Sequence, residues 1–193
     1  MKIIYLVNNN IEPSEERTID SIRMGLKKNS HEIIVFSSWQ YLKKDKTPGE
    51  CDIVIVDQMK GVMFLEVKGG GISIKNGRFH QYQKNHWEDL TKIKKDPMNQ
   101  AKEAKYEFEK QLEIRGLKKN IPRIWASSLP DCKKEGLWNS EYSPETIFFE
   151  NDLSDFDEKY KKIWKYYESD TIRPRRLSNL EFKSIIEIFS PEI

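Results

Sequence analysis

Asp52-Ile53-Val54-Ile55-Val56 and Val62-Met63-Phe64-Leu65-Glu66-Val67-Lys68, joined by a turn around Lys60-Gly61, decide the reading of this chain. Both runs are rich in β-branched and apolar residues, so they predict the two strands of an antiparallel hairpin. Residues two apart in a strand share a face, so Glu66 and Lys68 point the same way. Pairing of the two runs brings the Asp52 carboxylate beside Glu66. Charges embedded in otherwise apolar strands are uncommon. Two such carboxylates repel each other, and each is costly to desolvate. A divalent cation relieves both problems, and oxygen-only donors favour Mg²⁺ or Mn²⁺ over zinc. Lys68 adds positive charge and a proton-transfer group. The combination suits hydrolysis of a phosphodiester.

Outward from the hairpin, the chain alternates helical and strand signals. Pro13 with Ile19, Ile22 and Leu26 at helical spacing predicts a first helix. His31 to Phe36 reads as a strand, and Lys43 to Glu50, with Pro48-Gly49, as a polar loop. Gly69-Gly70-Gly71 ends the second hairpin strand, and Ile72 to Gln83 predicts a small ribbon turning at Asn76-Gly77. Asp96-Pro97 is a helix start, because Asp caps free N–H groups and Pro suits the first helical position. That helix is expected from Pro97 to Ile114, with Ala101, Ala104, Phe108 and Leu112 on its apolar face and Gly116 as its stop. Ile121 to Ser127 and Thr146 to Phe149 read as strands, and Asp155 to Tyr167 and Ser178 to Phe189 as helices. The order predicts an α/β chain with a central mixed β-sheet flanked by helices. Residues 1–170 form the expected main domain. Residues 171–193, opened by Arg173-Pro174-Arg175-Arg176, read as a linker and short helix leading toward a further domain.

Composition narrows the function classes. The chain has 193 residues, enough for one domain with a substantial core. Its 33 Lys and Arg nearly balance 31 Asp and Glu, which excludes a strongly basic coat protein and an acidic disordered tail. No apolar run approaches the roughly 20 residues of a membrane span. Cys51 and Cys132 belong to no metal-type cluster and point to reduced thiols in a cytoplasmic protein.

Several motifs, in order, resemble the nuclease-related domain (NERD) family of the PD-(D/E)XK, restriction-endonuclease-like nucleases. They are Glu50-Cys51-Asp52 through Val56, Leu65-Glu66-Val67-Lys68-Gly69-Gly70, and Asp96-Pro97-Met98-Asn99-Gln100-Ala101. Glu16-Arg17-Thr18-Ile19 resembles the family's first-helix motif, and Ile124 to Asp131 its late strand and Pro-Asp turn. The resemblance spans about Ser14 to Trp164. It implies a restriction-endonuclease-like core with a C-terminal helical extension and Mg²⁺-dependent DNA cleavage. Asp52 and Glu66 would bind the metal. Lys68 would orient or deprotonate the attacking water, and Gln100 would help place that water or the phosphate. Glu16 fits the family spacing, three residues before Ile19. A helical wheel instead favours Glu15, four before Ile19 and nearer the centre of the apolar face. Glu50 shares the Asp52 neighbourhood as a possible outer acid or a loop-edge charge.

The resemblance also implies DNA as partner and a helicase domain or subunit, with roles in DNA processing or defence against foreign DNA. Charge distribution accords with a nucleic acid. Lys60 to Arg123 carries 15 Lys and Arg against 8 Asp and Glu, whereas Glu150 to Asp170 carries 4 against 7. Phe79, Tyr82, Trp87 and Tyr106 interleave the basic stretch, where aromatics can stack on unpaired bases. RNA and homo-oligomer formation stay open at this level. So does a non-catalytic binding module of the same fold.

Overall fold

The structure, a computed structural model, describes residues 3–6, 11–43, 45–75, 78–83, 86–92, 96–117, 120–134, 142–169 and 172–190. Nine strands and four α-helices are described. They run β1 (Ile3–Leu6), α1 (Pro13–Leu26), β2 (Ile33–Leu42), β3 (Pro48–Asp57), β4 (Gly61–Val67), β5 (Ile72–Lys75), β6 (Arg78–Gln83), β7 (His86–Lys92), α2 (Pro97–Ile114), β8 (Arg123–Leu129), β9 (Ile147–Phe149), α3 (Phe156–Tyr167) and α4 (Asn179–Phe189).

Six strands form one mixed sheet in the order β1-β2-β3-β4-β8-β9. The β2-β3-β4 meander is antiparallel, and β1, β8 and β9 add parallel to their neighbours. The hairpin read from the sequence lies at the centre of this sheet. Burial on both faces explains its near-continuous apolar runs. Ile53, Ile55, Met63 and Leu65 face one core with Ile19, Ile22 and Leu26 of α1 and Phe156, Tyr160 and Trp164 of α3. Val54, Val56, Val62 and Phe64 face a second core with Ala104, Phe108 and Leu112 of α2. The helices thus cover both sides of the sheet. Phe182, Ile185 and Ile188 of α4 join the second core, and Phe189 stacks on Phe108 at 5.3 Å between ring centroids.

The helix start at Asp96 forms as its sequence predicts. Its carboxylate accepts from Met98 N–H at 2.9 Å and Asn99 N–H at 3.2 Å. At the other end Gly116, at φ 65°, takes the left-handed conformation that releases the chain. The expected 43–50 loop is different. β2 runs on to Leu42 and β3 begins at Pro48, so the two make a longer hairpin with Trp39 paired to Cys51 and Tyr41 to Gly49. Pro48 is tolerated because it is the first residue of its strand. The ribbon of β5 and β6 gains a third strand, β7, that local sequence did not announce. The expected turn at Asn76-Gly77 lies outside the described residues.

One kink in β2 bears on the site. Ser38 has φ 54°, and the β2–β3 register passes from Ser37↔Ile53 to Trp39↔Cys51 without a Ser38↔Asp52 pair. Ile53 faces the first core, but Cys51 faces the second, so the strand turns over at Asp52. A non-glycine residue in this region carries strain of about 1–3 kcal/mol. Ser38→Val, with a branched Cβ, is expected to destabilise the protein by about 2 kcal/mol, whereas Ser38→Gly leaves stability near wild type or slightly above it. Urea unfolding midpoints check both variants.

Candidate functional site

The centre of interest is a fork between two strands. Backbone pairing of β3 with β4 stops at Ile53↔Leu65. Beyond it the Asp52 side chain takes over, and its Oδ2 accepts the Val67 N–H at 2.7 Å. The carboxylate is thereby fixed in the opening of the fork. Glu66 lies two residues after Phe64, on the α2 face of the sheet, and is only 1% exposed. The Lys68 ammonium donates to Glu66 Oε1 at 2.6 Å. Cys51 fills the floor beneath, with its thiol 3.4 Å from the Ile53 carbonyl oxygen. Burial pushes that thiol's pKa up, so it is an inert packing group.

The first turn of α1 closes one side. Thr18 Oγ1 donates to the Ser14 carbonyl at 2.9 Å and shares a buried hydrogen bond with Ser128 Oγ at 3.0 Å. This bolts α1 to the end of β8. Gly69 passes so close that an added Cβ would lie 2.8 Å from Ser14 Cβ. Asp131 holds the loop after Lys68: its Oδ2 accepts the Gly70 N–H at 2.6 Å, and its other oxygen pairs with Arg17 of α1.

Electrostatics mark the fork as a strained group of charges. Burial and the Asp52 charge raise the Glu66 pKa to about 8, against the lowering effect of Lys68. Burial raises Asp52 as well, against Lys68 and the Val67 N–H. Burial and the Asp52 charge raise Glu15 to about 7. Burial opposes the charge on Lys68, but Glu66 and Asp52 outweigh it and hold the ammonium above its ordinary range. In this arrangement Lys68 is a charged donor, not a base. The folded chain keeps a Glu66 proton that the unfolded chain releases, so the metal-free stability this group contributes is fullest below about pH 4.5 and is lost as pH rises to about 8. Thermal unfolding in EDTA should show the melting temperature falling across this interval, and a Glu66→Gln variant should flatten the slope.

A family description, nuclease-related domain, matches residues 12–129. The chain belongs to the nuclease-related domain family. NERD is part of the restriction-endonuclease-like superfamily, and the mixed sheet covered by helices on both faces is consistent with that fold. The matched stretch runs from the residue before α1 to the end of β8 and includes the whole fork. No curated protein and no solved structure matches the chain.

Set on this NERD fold, the sequence candidates fall in different places. Asp52, Glu66 and Lys68 come together. Glu15 joins them, half-buried, in electrostatic contact with Asp52 and Glu50. Glu16 stays exposed on the outer side of α1. The bolt between Thr18 and Ser128 fixes the helix rotation that turns Glu15, not Glu16, toward Asp52. Glu50 is exposed at the rim, and its charge reaches Asp52, Glu66 and Glu15. Gln100 lies one turn into α2, half-buried. That turn lies between Met98, which packs with Leu129 at the end of β8, and Phe108, which packs on Phe64 at 5.4 Å. The amide is therefore at the same end of the sheet as the fork.

The donors fit a hard divalent cation. Glu66 Oε2 is buried and has no hydrogen-bond partner among the described residues. Asp52 has a second oxygen beyond the one bonded to Val67, and its carboxyl lies in hydrogen-bond contact with that of Glu66. No group of three or more His, Cys, Asp and Glu side chains stands ready for a metal among the described residues. Magnesium is commonly held by one or two carboxylates, the rest of its shell coming from water and substrate phosphate. Ser38 and Asp131 are positioning residues that sequence reasoning missed or left without a role. Asp131 had a signal, the Pro-Asp turn, but Ser38 had none.

Proposed function

We propose that this NERD chain is a Mg²⁺-dependent nuclease hydrolysing DNA phosphodiester bonds at the fork of β3 and β4. The observation that carries the reading is the convergence of two raised-pKa carboxylates, half-buried Asp52 and buried Glu66, with the Lys68 ammonium at one end of the sheet. Strongly perturbed groups gathered around a specific charge partner are what a functional site requires. Asp52 and Glu66 hold the cation, Mg²⁺ or Mn²⁺, which supplies Lewis-acid chemistry to the phosphodiester when bound. Lys68 donates to the scissile phosphate or to the attacking water and offsets the charge that develops. Glu15, rather than Glu16, adds the first-helix acid. Gln100 and the N-terminal end of α2 face the phosphate backbone, since a helix N-terminus favours negative charge.

The wider setting we propose is DNA processing or defence against foreign DNA in the cytoplasm, with a helicase acting alongside. No helix among the described residues is long and apolar enough to cross a membrane. The competing reading, a binding module without chemistry, lacks a reason for the Lys68–Glu66 pair beside Asp52. Incubation of the purified protein with single- and double-stranded DNA and RNA decides between them. Cleavage with Mg²⁺ or Mn²⁺ that EDTA abolishes is expected; binding without cleavage under every metal would establish the module.

A further inference from the structure

We propose that Ser127 is a positioning residue that holds the Glu66 carboxylate through its hydroxyl. Glu66 and Ser127 are register partners on the adjacent parallel strands β4 and β8. Their preceding same-face residues, Phe64 and Trp125, are also partners and both reach the second core. Glu66 and Ser127 therefore project from the same face of the sheet, toward α2. Adjacent strands lie about 4.8 Å apart, so neighbouring side chains of this size are within reach of each other.

Both residues are sealed from solvent, at 1% and 0% exposure. Lys68 occupies Glu66 Oε1, which leaves Oε2. Glu66 Oε2 and Ser127 Oγ are both buried with no partner among the described residues. An ionised carboxyl oxygen accepts, a protonated one can also donate, and a hydroxyl does both, so the pairing is open to Glu66 in either state. Leaving both unpaired in a dry interior is costly; the two atoms are not in direct hydrogen-bond contact, and a single buried water bridging them satisfies the two together. The next residue, Ser128, makes the contrast clear: its hydroxyl points to the opposite face and is already bound to Thr18. Lys68 and Ser127 then grip the two oxygens of Glu66 from opposite sides and set the direction in which the carboxylate meets Asp52.

The pairing itself needs no metal. Its consequence for cation binding rests on the nuclease reading above. Two measurements separate them. The first is a thermal-unfolding cycle in EDTA with Ser127→Ala, Glu66→Leu and the double variant. The shifts should not add, because removing either partner already breaks the bond. Additive shifts would overturn the inference. The second is calorimetric titration of Mn²⁺ into wild type, Ser127→Ala and Ser127→Thr. Loss of the hydroxyl should weaken binding about 10-fold, the usual effect of losing a partner that orients a ligand, and threonine should restore it. Unchanged Mn²⁺ affinity in Ser127→Ala would overturn the inference and leave the nuclease reading intact. Wild type that takes up no Mn²⁺ would overturn the nuclease reading, and the metal-free cycle would still decide the pairing.

Discussion

Lys68→Met lowers the rate of DNA cleavage about 1000-fold while the protein stays folded, because it removes a preorganised donor from the reacting phosphate. Methionine keeps most of the stem that covers the fork and discards only the charge. The Lys68 ammonium is a quarter exposed, so its loss opens no cavity in the core. Glu66 loses its ion pair, but a buried carboxyl without a partner takes up a proton instead of staying charged. The stability cost is thereby limited. The kinetic pattern is diagnostic. Mn²⁺ affinity should change far less than the single-turnover rate, because losing a repelling cation and having to displace the Glu66 proton act in opposite directions. A variant that cleaves normally would remove Lys68 from the chemistry. A variant that loses metal binding with the rate would make it a structural prop.

Asp52→Asn separates stability from activity in opposite directions. The amide oxygen of asparagine can still accept the Val67 N–H that Asp52 Oδ2 holds at 2.7 Å, so the fork keeps its shape. What disappears is a half-buried charge whose pKa burial has raised, next to Glu66 and Glu15. At pH 8 in EDTA the variant should melt higher than wild type by a few degrees, at roughly 2–4 °C for each kcal/mol in a chain of this size. With Mg²⁺ the order reverses, because only the wild type gains stability from the ion. Cleavage should fall about 1000-fold or more, the scale seen when a principal electrostatic element of a site is lost. Scanning calorimetry with and without Mg²⁺ shows the crossing directly. Equal melting curves for both proteins under both conditions would mean that Asp52 carries neither strain nor metal.

The sequence made the centre of the fold legible and blurred its edges. The β3–β4 hairpin announces itself because both faces are buried and both strands are apolar throughout. α2 is legible to the residue, since Asp96, Pro97 and Gly116 are local instructions that need no tertiary context. β2 beyond Phe36 is different. Ser37-Ser38-Trp39-Gln40-Tyr41 has no clean alternation, because the strand turns over at Ser38 and only pairing with β3 keeps it extended. β1 and β7 likewise exist through their neighbours.

The site divides along the same line. Asp52, Glu66 and Lys68 stand out because charge interrupts apolar strands, an anomaly visible in one dimension. Glu15 and Glu16 are neighbours on one helix, and spacing along the chain cannot fix how that helix is rotated about its axis. The bond from Thr18 to Ser128, 110 residues away, does so. Ser127 had no signal at all, since a serine in a strand becomes informative only when the strand beside it carries a carboxylate at the same level.

The most direct test of the account is single-turnover cleavage of labelled DNA by wild type and Asp52→Asn side by side, in Mg²⁺ and in EDTA. The account predicts Mg²⁺-dependent cleavage by the wild type, none in EDTA, and at least about a 1000-fold slower rate for a fully folded Asp52→Asn. Cleavage by Asp52→Asn at the wild-type rate would contradict it.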